Sequence, residues 1–269
     1  MTKIKEIEEN VKKTFNTLKK VYDLSWDPEN HTLHVGVFFH EDDTLQESFK
    51  NTNVYLKQLA EQYCPFDVDS KLLDVCTGSG RTLLEFTKDY GCTGVGVDIS
   101  NEYIKDARRN NNGRCNFILG SASELDLNDK FTHAISQDGI FLVGDKEKCL
   151  QTVYDSLEEG GVFLFSDFLA ERTDLKLDRK KKVYGTVKWE KGVSFNEYLK
   201  LLESVGFEVL HCERRREDML KTYQKLIPQT EYLLRNEPEM FKKLVGRYKA
   251  MVRSIEEDEL SWGWFVVKK

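Results

Sequence analysis

Little in this chain would break up a folded core or staple one together. Four prolines and 17 glycines in 269 residues are too few for a disordered chain, and no internal repeat or low-complexity linker stands out. The six cysteines, at 64, 76, 92, 115, 149 and 212, include no Cys-x-x-Cys pair, so they read as reduced thiols rather than a disulfide framework or a metal site. No apolar run is long enough to span a membrane, and the amino terminus Met1-Thr-Lys-Ile-Lys lacks the apolar centre of a secretory signal. A cytoplasmic protein is expected. A surplus of positive charge is also missing: 46 acidic against 40 basic residues leave a net charge of −6, which argues against a nucleic-acid partner. The local clusters Arg179-Lys-Lys-Lys182 and Arg214-Arg-Arg216 read as solvated edges, either of which could meet an anionic small substrate. With 40% hydrophobic residues the chain can bury one sizeable core plus a cover.

What is present is a strand, a tight turn and a helix in one run, Lys71-Leu-Leu-Asp-Val-Cys-Thr-Gly-Ser-Gly80. Leu72, Leu73 and Val75 are too apolar to face water, the small residues after them turn the chain, and a helical pattern covers 81–90. Gly78 and Gly80 let a ligand approach the main chain, and the first amides of the helix point into the turn. Twenty residues after Gly78, Asp98 closes a second apolar strand over 93–97, where a carboxylate can accept hydrogen bonds from both hydroxyls of a ribose. The turn departs from the dinucleotide pattern G-x-G-x-x-G, with Cys76 in the first glycine slot and Thr82 near the last, so a pyrophosphate is poorly matched.

The turn is similar to motif I of the S-adenosylmethionine-dependent methyltransferases, L-D-x-G-x-G-x-G, with Cys76 in place of the first glycine. Further pieces follow in that family's order. A helix over 103–110 precedes a strand over 116–119 that ends at Gly120-Ser121-Ala122; a strand over 132–136 ends at Gln137-Asp138; and Leu157-Glu-Glu-Gly-Gly161 turns into a strand over 162–166. The resemblance implies an α/β fold, a seven-stranded Rossmann-like sheet, with S-adenosylmethionine as cofactor and no metal. Its adenine would lie at Gly120-Ser121-Ala122 and its sulfonium beside Gln137-Asp138. Implied cofactor contacts in the turn and strand ends are Asp74, Cys76, Thr77, Gly78, Gly80, Asp98 and Ile99. Those elsewhere are Tyr22, Val35, Ser121, Ala122, Ser123 and Gln137.

Outside this core, apolar positions 4, 7, 11, 15 and 18 recur at helical spacing over 3–21, and a second helix is expected at about 45–63. Residues 1–69 are read as a helical segment with a loop that covers the cofactor, and 70–269 as the methyltransferase domain. A helix over 195–205 begins after the cap candidate Ser194 and stops at Gly206, a strand follows over 208–212, and the last strand covers 261–267. Between those last strands the chain inserts a helical stretch at about 217–257, as methyltransferases insert a substrate lid.

Three segments resemble one small-molecule branch. Leu33-His-Val-Gly-Val-Phe38, Ser136-Gln-Asp-Gly-Ile-Phe141 and Leu260-Ser-Trp-Gly-Trp264 are similar to I-H-V-G-L-Y, S-Q-D-A-F-L and L-T-W-G-G of sarcosine/dimethylglycine methyltransferases. Phosphoethanolamine methyltransferases share related segments. Both relatives carry a histidine four residues past the aspartate, where this chain has Leu142, and the phosphobase enzymes place an acid where Ala122 stands. Ser121, Ser123 or main-chain groups would have to serve the adenine instead.

These departures favour N-methylation of a small, already partly methylated amine. Candidate catalytic groups are Asp138, His34 and Tyr22; Trp26, Asp138, Leu142, Trp189 and Tyr223 are candidate acceptor contacts, with aromatic faces suited to an ammonium ion. Each has a structural alternative: Tyr22 and Trp26 could pack under the first helix, His34 could serve the fold, and Asp138 could cap a helix. Two other functions stay open, O- or C-methylation of a larger apolar metabolite, and cofactor binding without turnover. The partner is a small-molecule acceptor, and the chain is expected to act as a monomer or homodimer.

Overall fold

The computed structural model describes residues 3–172, 174–187, 189, 192–235 and 238–269. Two helices open the chain, α1 (Lys3–Ser25) and α2 (Leu45–Tyr63). Short apolar strands and amphipathic helices then alternate: β1 (Lys71–Val75), α3 (Arg81–Tyr90), β2 (Thr93–Asp98), α4 (Asn101–Arg109), β3 (Cys115–Leu119), β4 (Phe131–Gln137), α5 (Lys146–Ser156) and β5 (Leu157–Ala170). After α6 (Leu177–Val187) and α7 (Phe195–Val205) come β6 (Glu208–Arg214), α8 (Arg216–Leu234), α9 (Pro238–Glu256) and β7 (Leu260–Lys268). No described helix is long and apolar enough to cross a membrane.

The seven strands form one sheet in the order β3-β2-β1-β4-β5-β7-β6, with β7 running antiparallel between β5 and β6. The neighbours from β3 to β5 are parallel, so each connection must cross back over a face of the sheet. Helices therefore cover both faces. On one side Leu72, Phe86, Trp262 and Trp264 pack with residues of α2, α8 and α9; on the other Leu73, Val75, Phe163 and Phe265 pack with Tyr198 and Leu202 of α7. The order reverses between β1 and β4, which opens a crevice at their carboxyl ends, the place where open α/β sheets take their ligands.

The expected strands and helices fall where periodicity places them, with four differences. The helix over 3–21 continues to Ser25, which brings Tyr22 into its last turn. Residues 157–161 belong to β5, where an irregularity takes up extra residues between the Leu157 and Val162 pairings. The inserted stretch at 217–257 is two helices, α8 and α9, packed on one another. Finally, Arg179-Lys-Lys-Lys182 lies in α6, with Arg179 paired to Glu257 and Glu259. Arg214, Arg215 and Arg216 pair with Glu171, Asp218 and Asp258, so these cations serve the fold rather than await an anion.

The cover over the crevice is knitted from distant parts of the chain. The Phe38 amide donates to Asp218 at 3.0 Å and the Gly36 amide to Thr222 at 3.0 Å, while Gln229 donates to the carbonyls of Ser25 and Trp26. The loop after α1 is thereby fixed to α8. Capping boxes start α2 at Thr44 and α7 at Ser194. Ser194→Ala should lower unfolding stability by about 1 kcal/mol, read as a lower urea midpoint with an unchanged slope.

Candidate active site

The turn after β1 is closed by its own backbone: the Thr77 amide donates to Val97 at 3.0 Å and the Gly80 amide to Thr77 at 2.9 Å. Cys76, Gly78 and Gly80 all take left-handed angles, and so does Asp138 at the end of β4, at φ 54°. A left-handed aspartate is held against its preference, as residues at functional sites often are. Gly139 lets the two segments close on each other, because a Cβ there would lie 2.3 Å from that of Cys76. The ends of β1, β2, β3 and β4 and the inner face of α1 border a cleft of about 1040 Å³.

Asp98 stands in this cleft. Its Oδ2 accepts the Gly78 amide at 2.9 Å and its Oδ1 the Ser100 amide at 2.8 Å, which leaves each oxygen a lone pair for a ribose hydroxyl. Burial holds its carboxyl above the ordinary range, and the amide hydrogen bonds pull it back. Burial likewise pushes Asp74 up to about 7, although the Thr77 hydroxyl donates to it at 2.5 Å.

Asp138 is pushed up to about 6, again by burial, against three donors. Its Oδ1 accepts the Trp262 indole N–H at 2.6 Å and the Ser166 hydroxyl at 2.7 Å, and its Oδ2 accepts the Val35 amide at 2.6 Å. The carboxyls of Asp98 and Asp138, with Asp74 beside them, give the cleft an acidic lining, as a cationic ligand requires. Arg81 supplies the opposite sign. It borders the cleft, and its buried Nε has no partner among the described residues. Carboxylates for ribose and for a cation, with one guanidinium for a carboxylate, fit S-adenosylmethionine.

A second chamber of about 750 Å³ adjoins the first, and Phe15, Leu33, Asp138 and Leu142 border both. Its walls are aromatic. Trp26 meets Tyr223 edge-on at 5.6 Å and Tyr248 at 5.8 Å, and Phe141 stacks on Phe168 at 4.4 Å. Arg247 of α9 is the one cation among the described residues lining it, and forms no ion pair among them. The Tyr22 hydroxyl lies beside Arg247; burial raises its pKa and the guanidinium opposes the rise.

The structure brings Asp74, Cys76, Thr77, Gly78, Asp98, Ile99, Ser121, Ala122, Gln137 and His34 to the first cleft, and Tyr22, Trp26 and Tyr223 to the second. Asp138 and Leu142 border both. Four expected contacts stand behind the walls. The Val35 side chain is buried, and only its amide reaches Asp138. Gly80 faces the Phe117 ring, 2.6 Å from where a Cβ would lie. Ser123 is buried with its hydroxyl on the Asp145 carbonyl, and Trp189 backs Phe141 at 6.1 Å. Tyr22 opens onto the second chamber and not the first. His34 is enclosed, with Nδ1 3.2 Å from the Val35 carbonyl, and burial lowers its pKa, so the imidazole is neutral. The Cys76 thiol is pushed up by burial and is no thiolate at neutral pH.

Sequence reasoning missed Glu8, Phe15, Arg81, Phe141, Arg247 and Tyr248 as site residues. Helical spacing had already put Val11 and Phe15 on one face of α1, which reads equally as packing. Nothing local distinguishes Arg81 or Arg247 from surface arginines; only tertiary placement does. Replacing Asp98 by alanine should weaken binding of S-adenosylhomocysteine about a hundredfold by calorimetry, the scale of losing charged hydrogen bonds to two hydroxyls.

Comparison with known proteins agrees with this geometry. Residues 66–235 match a family model described as a methyltransferase domain. Phosphoethanolamine N-methyltransferase 1 of Zea mays is 25% identical over 211 residues, 74% of this chain and 41% of its own length. The chain thus spans about two fifths of that relative. Sarcosine/dimethylglycine N-methyltransferase of Aphanothece halophytica is 19% identical over 243 residues, 86% of each chain. Among solved structures, a putative sarcosine dimethylglycine methyltransferase from Galdieria sulphuraria superposes with a TM-score of 0.86 at 20% identity, covering 94% of this chain and 98% of the other. With a crevice at the sheet reversal whose carboxylates fit an adenosyl sulfonium, and a family model matching well over half its length, the chain belongs to the methyltransferase-domain family.

Proposed function

We propose that the protein methylates the nitrogen of a small, partly methylated amine that carries an anionic end, as sarcosine and dimethylglycine do. The observation that carries this reading is the second chamber itself. It meets the first at Asp138 and Leu142, its walls are aromatic, and it holds the Arg247 guanidinium, which has no ion pair among the described residues. Aromatic faces attract an ammonium ion by roughly 0.5 to 2 kcal/mol each, and a guanidinium binds a carboxylate by a fork of parallel hydrogen bonds. Relatives named as sarcosine/dimethylglycine and phosphoethanolamine N-methyltransferases support the class of acceptor. The acceptor is a small molecule, and we place the enzyme in the cytoplasm, as monomer or homodimer.

When bound, S-adenosylmethionine supplies an electrophilic methyl group on a sulfonium. The protein's part is to aim a nucleophile at it and keep water away. Leu142, Leu33 and Phe15 form the apolar part of the junction that Asp138 completes, and transfer requires the amine to present a free lone pair there. Such alignment in a dry site lowers a barrier by about 7 to 11 kcal/mol, whereas a general base contributes about 10²- to 10⁴-fold in rate. Asp138 contributes charge. Its carboxylate, fixed by the Val35, Ser166 and Trp262 donors, stays beside the positive charge as that charge passes from sulfur to nitrogen. Asp167 holds the wall in place: its Oδ1 accepts the Phe141 amide at 3.0 Å, and the Tyr198 hydroxyl donates to its Oδ2.

Incubation with methyl-labelled cofactor and a panel of sarcosine, dimethylglycine, phosphoethanolamine and a long-chain apolar acceptor tests the reading. Label in the first two supports it; label in the apolar acceptor alone, or tight cofactor binding with no product from any of them, contradicts it. Arg247→Gln should raise the KM for the anionic acceptor about tenfold or more, from loss of a charge-assisted bond, and leave the affinity for S-adenosylhomocysteine unchanged. The free enzyme's Asp138 takes up a proton as the pH falls through about 6 and then no longer attracts a cation. In a pH series, kcat/KM for the cofactor should fall on that side, and Asp138→Asn should be lower throughout with a flatter acid limb.

A further inference from the structure

The acid missing at position 122 is supplied by the first helix. We propose that Glu8 of α1 reads the exocyclic amino group of the cofactor's adenine, which makes α1 part of the cofactor site; this rests on the methyltransferase reading above. The strand order fixes where the base must lie. Asp98 ends β2, Asp138 ends β4 on one side of it, and Ser121 follows β3 on the other. A ligand with its ribose on Asp98 and its methyl group at the Asp138 junction therefore extends its base over the end of β3.

Ala122 offers no acceptor there, yet Glu8 borders the same cleft, with Oε1 2.6 Å from the Ser121 hydroxyl that donates to it. Glu8 makes no other hydrogen bond among the described residues, so Oε2 is available to a donor. An adenine amino group is such a donor. Glu8, Val11 and Phe15 share one helical face and all border the cleft, at the three- and four-residue spacing that lines up side chains on a helix. The helix is held in register beyond them: the Ser100 hydroxyl donates to Asn16 at 2.7 Å, and Lys19 bridges Asp23 and Asp106, each at 2.5 Å. Those bonds tie α1 to α4 and to the residues just after β2, and so keep Glu8 over the end of β3.

The test compares two ligands that differ only at the purine edge, S-adenosylhomocysteine and its deaminated analogue S-inosylhomocysteine, which presents an oxygen where adenine has the amino group. Calorimetry on the full chain should show the wild type preferring the adenosyl ligand by about ten- to a hundredfold, the range of a charge-assisted hydrogen bond. Glu8→Ala should reduce that preference by at least fivefold, mainly by weakening the adenosyl ligand. Glu8→Gln, which keeps an acceptor but loses the charge and can turn its amide N–H to the inosyl oxygen, should show a smaller preference than the wild type, and Glu8→Ala with Ala122→Asp should restore it. A Glu8→Ala protein that binds S-adenosylhomocysteine and keeps the wild-type preference overturns the role of Glu8 and leaves the enzyme class standing. A wild type that binds neither ligand overturns both.

Discussion

The Asp138 carboxylate is where separately encoded parts of the chain converge. It follows β4 in a left-handed conformation and takes donors from the loop after α1, from β5 and from β7, through Val35, Ser166 and Trp262. Each donor offsets part of the cost of burying a charge, and none of the three segments is near the others in sequence. The geometry is therefore a property of the whole sheet. It also fixes the boundary between the two chambers, because the residue at the convergence borders both.

The rest of the site follows from that boundary. The cleft on the β2 and β3 side carries the carboxyls of Asp74, Asp98 and Asp138, all raised by burial, whereas the chamber beyond Leu142 is aromatic, with Arg247 as the guanidinium among its described lining residues. The boundary thus separates a side that offers carboxylates to a sulfonium from one whose walls are aromatic, with Asp138 facing both.

Much of the sheet was legible from sequence because its strands are short apolar runs bounded by turn residues, and the motif around Gly78 and Asp98 reports the cofactor crevice through backbone demands alone. The crevice residues Asp74, Cys76, Thr77, Asp98, Ile99 and Gln137 lie next to those strand ends, so local pattern places them. Residues facing inward from helices were harder. Trp189, expected on a chamber wall, lies one layer behind it, packed between Phe141 and Tyr184 of α6. Glu8, Arg81 and Arg247 look like ordinary surface charges in sequence, and their significance comes from the clefts that the fold places them beside. Arg179 and the cluster at 214–216 show the converse, cations that look available and are spent on ion pairs.

The central claim is that one ligand spans from the end of β3, past Asp98, to the junction at Leu142 with its sulfur facing the aromatic chamber. A crystal structure with S-adenosylhomocysteine bound tests it most directly. The account predicts ribose hydroxyls on Asp98 and a sulfur that opens past Asp138 into the space walled by Trp26, Phe141 and Tyr223. A sulfur directed away from that space, or a ligand lodged without touching Asp98, would contradict it.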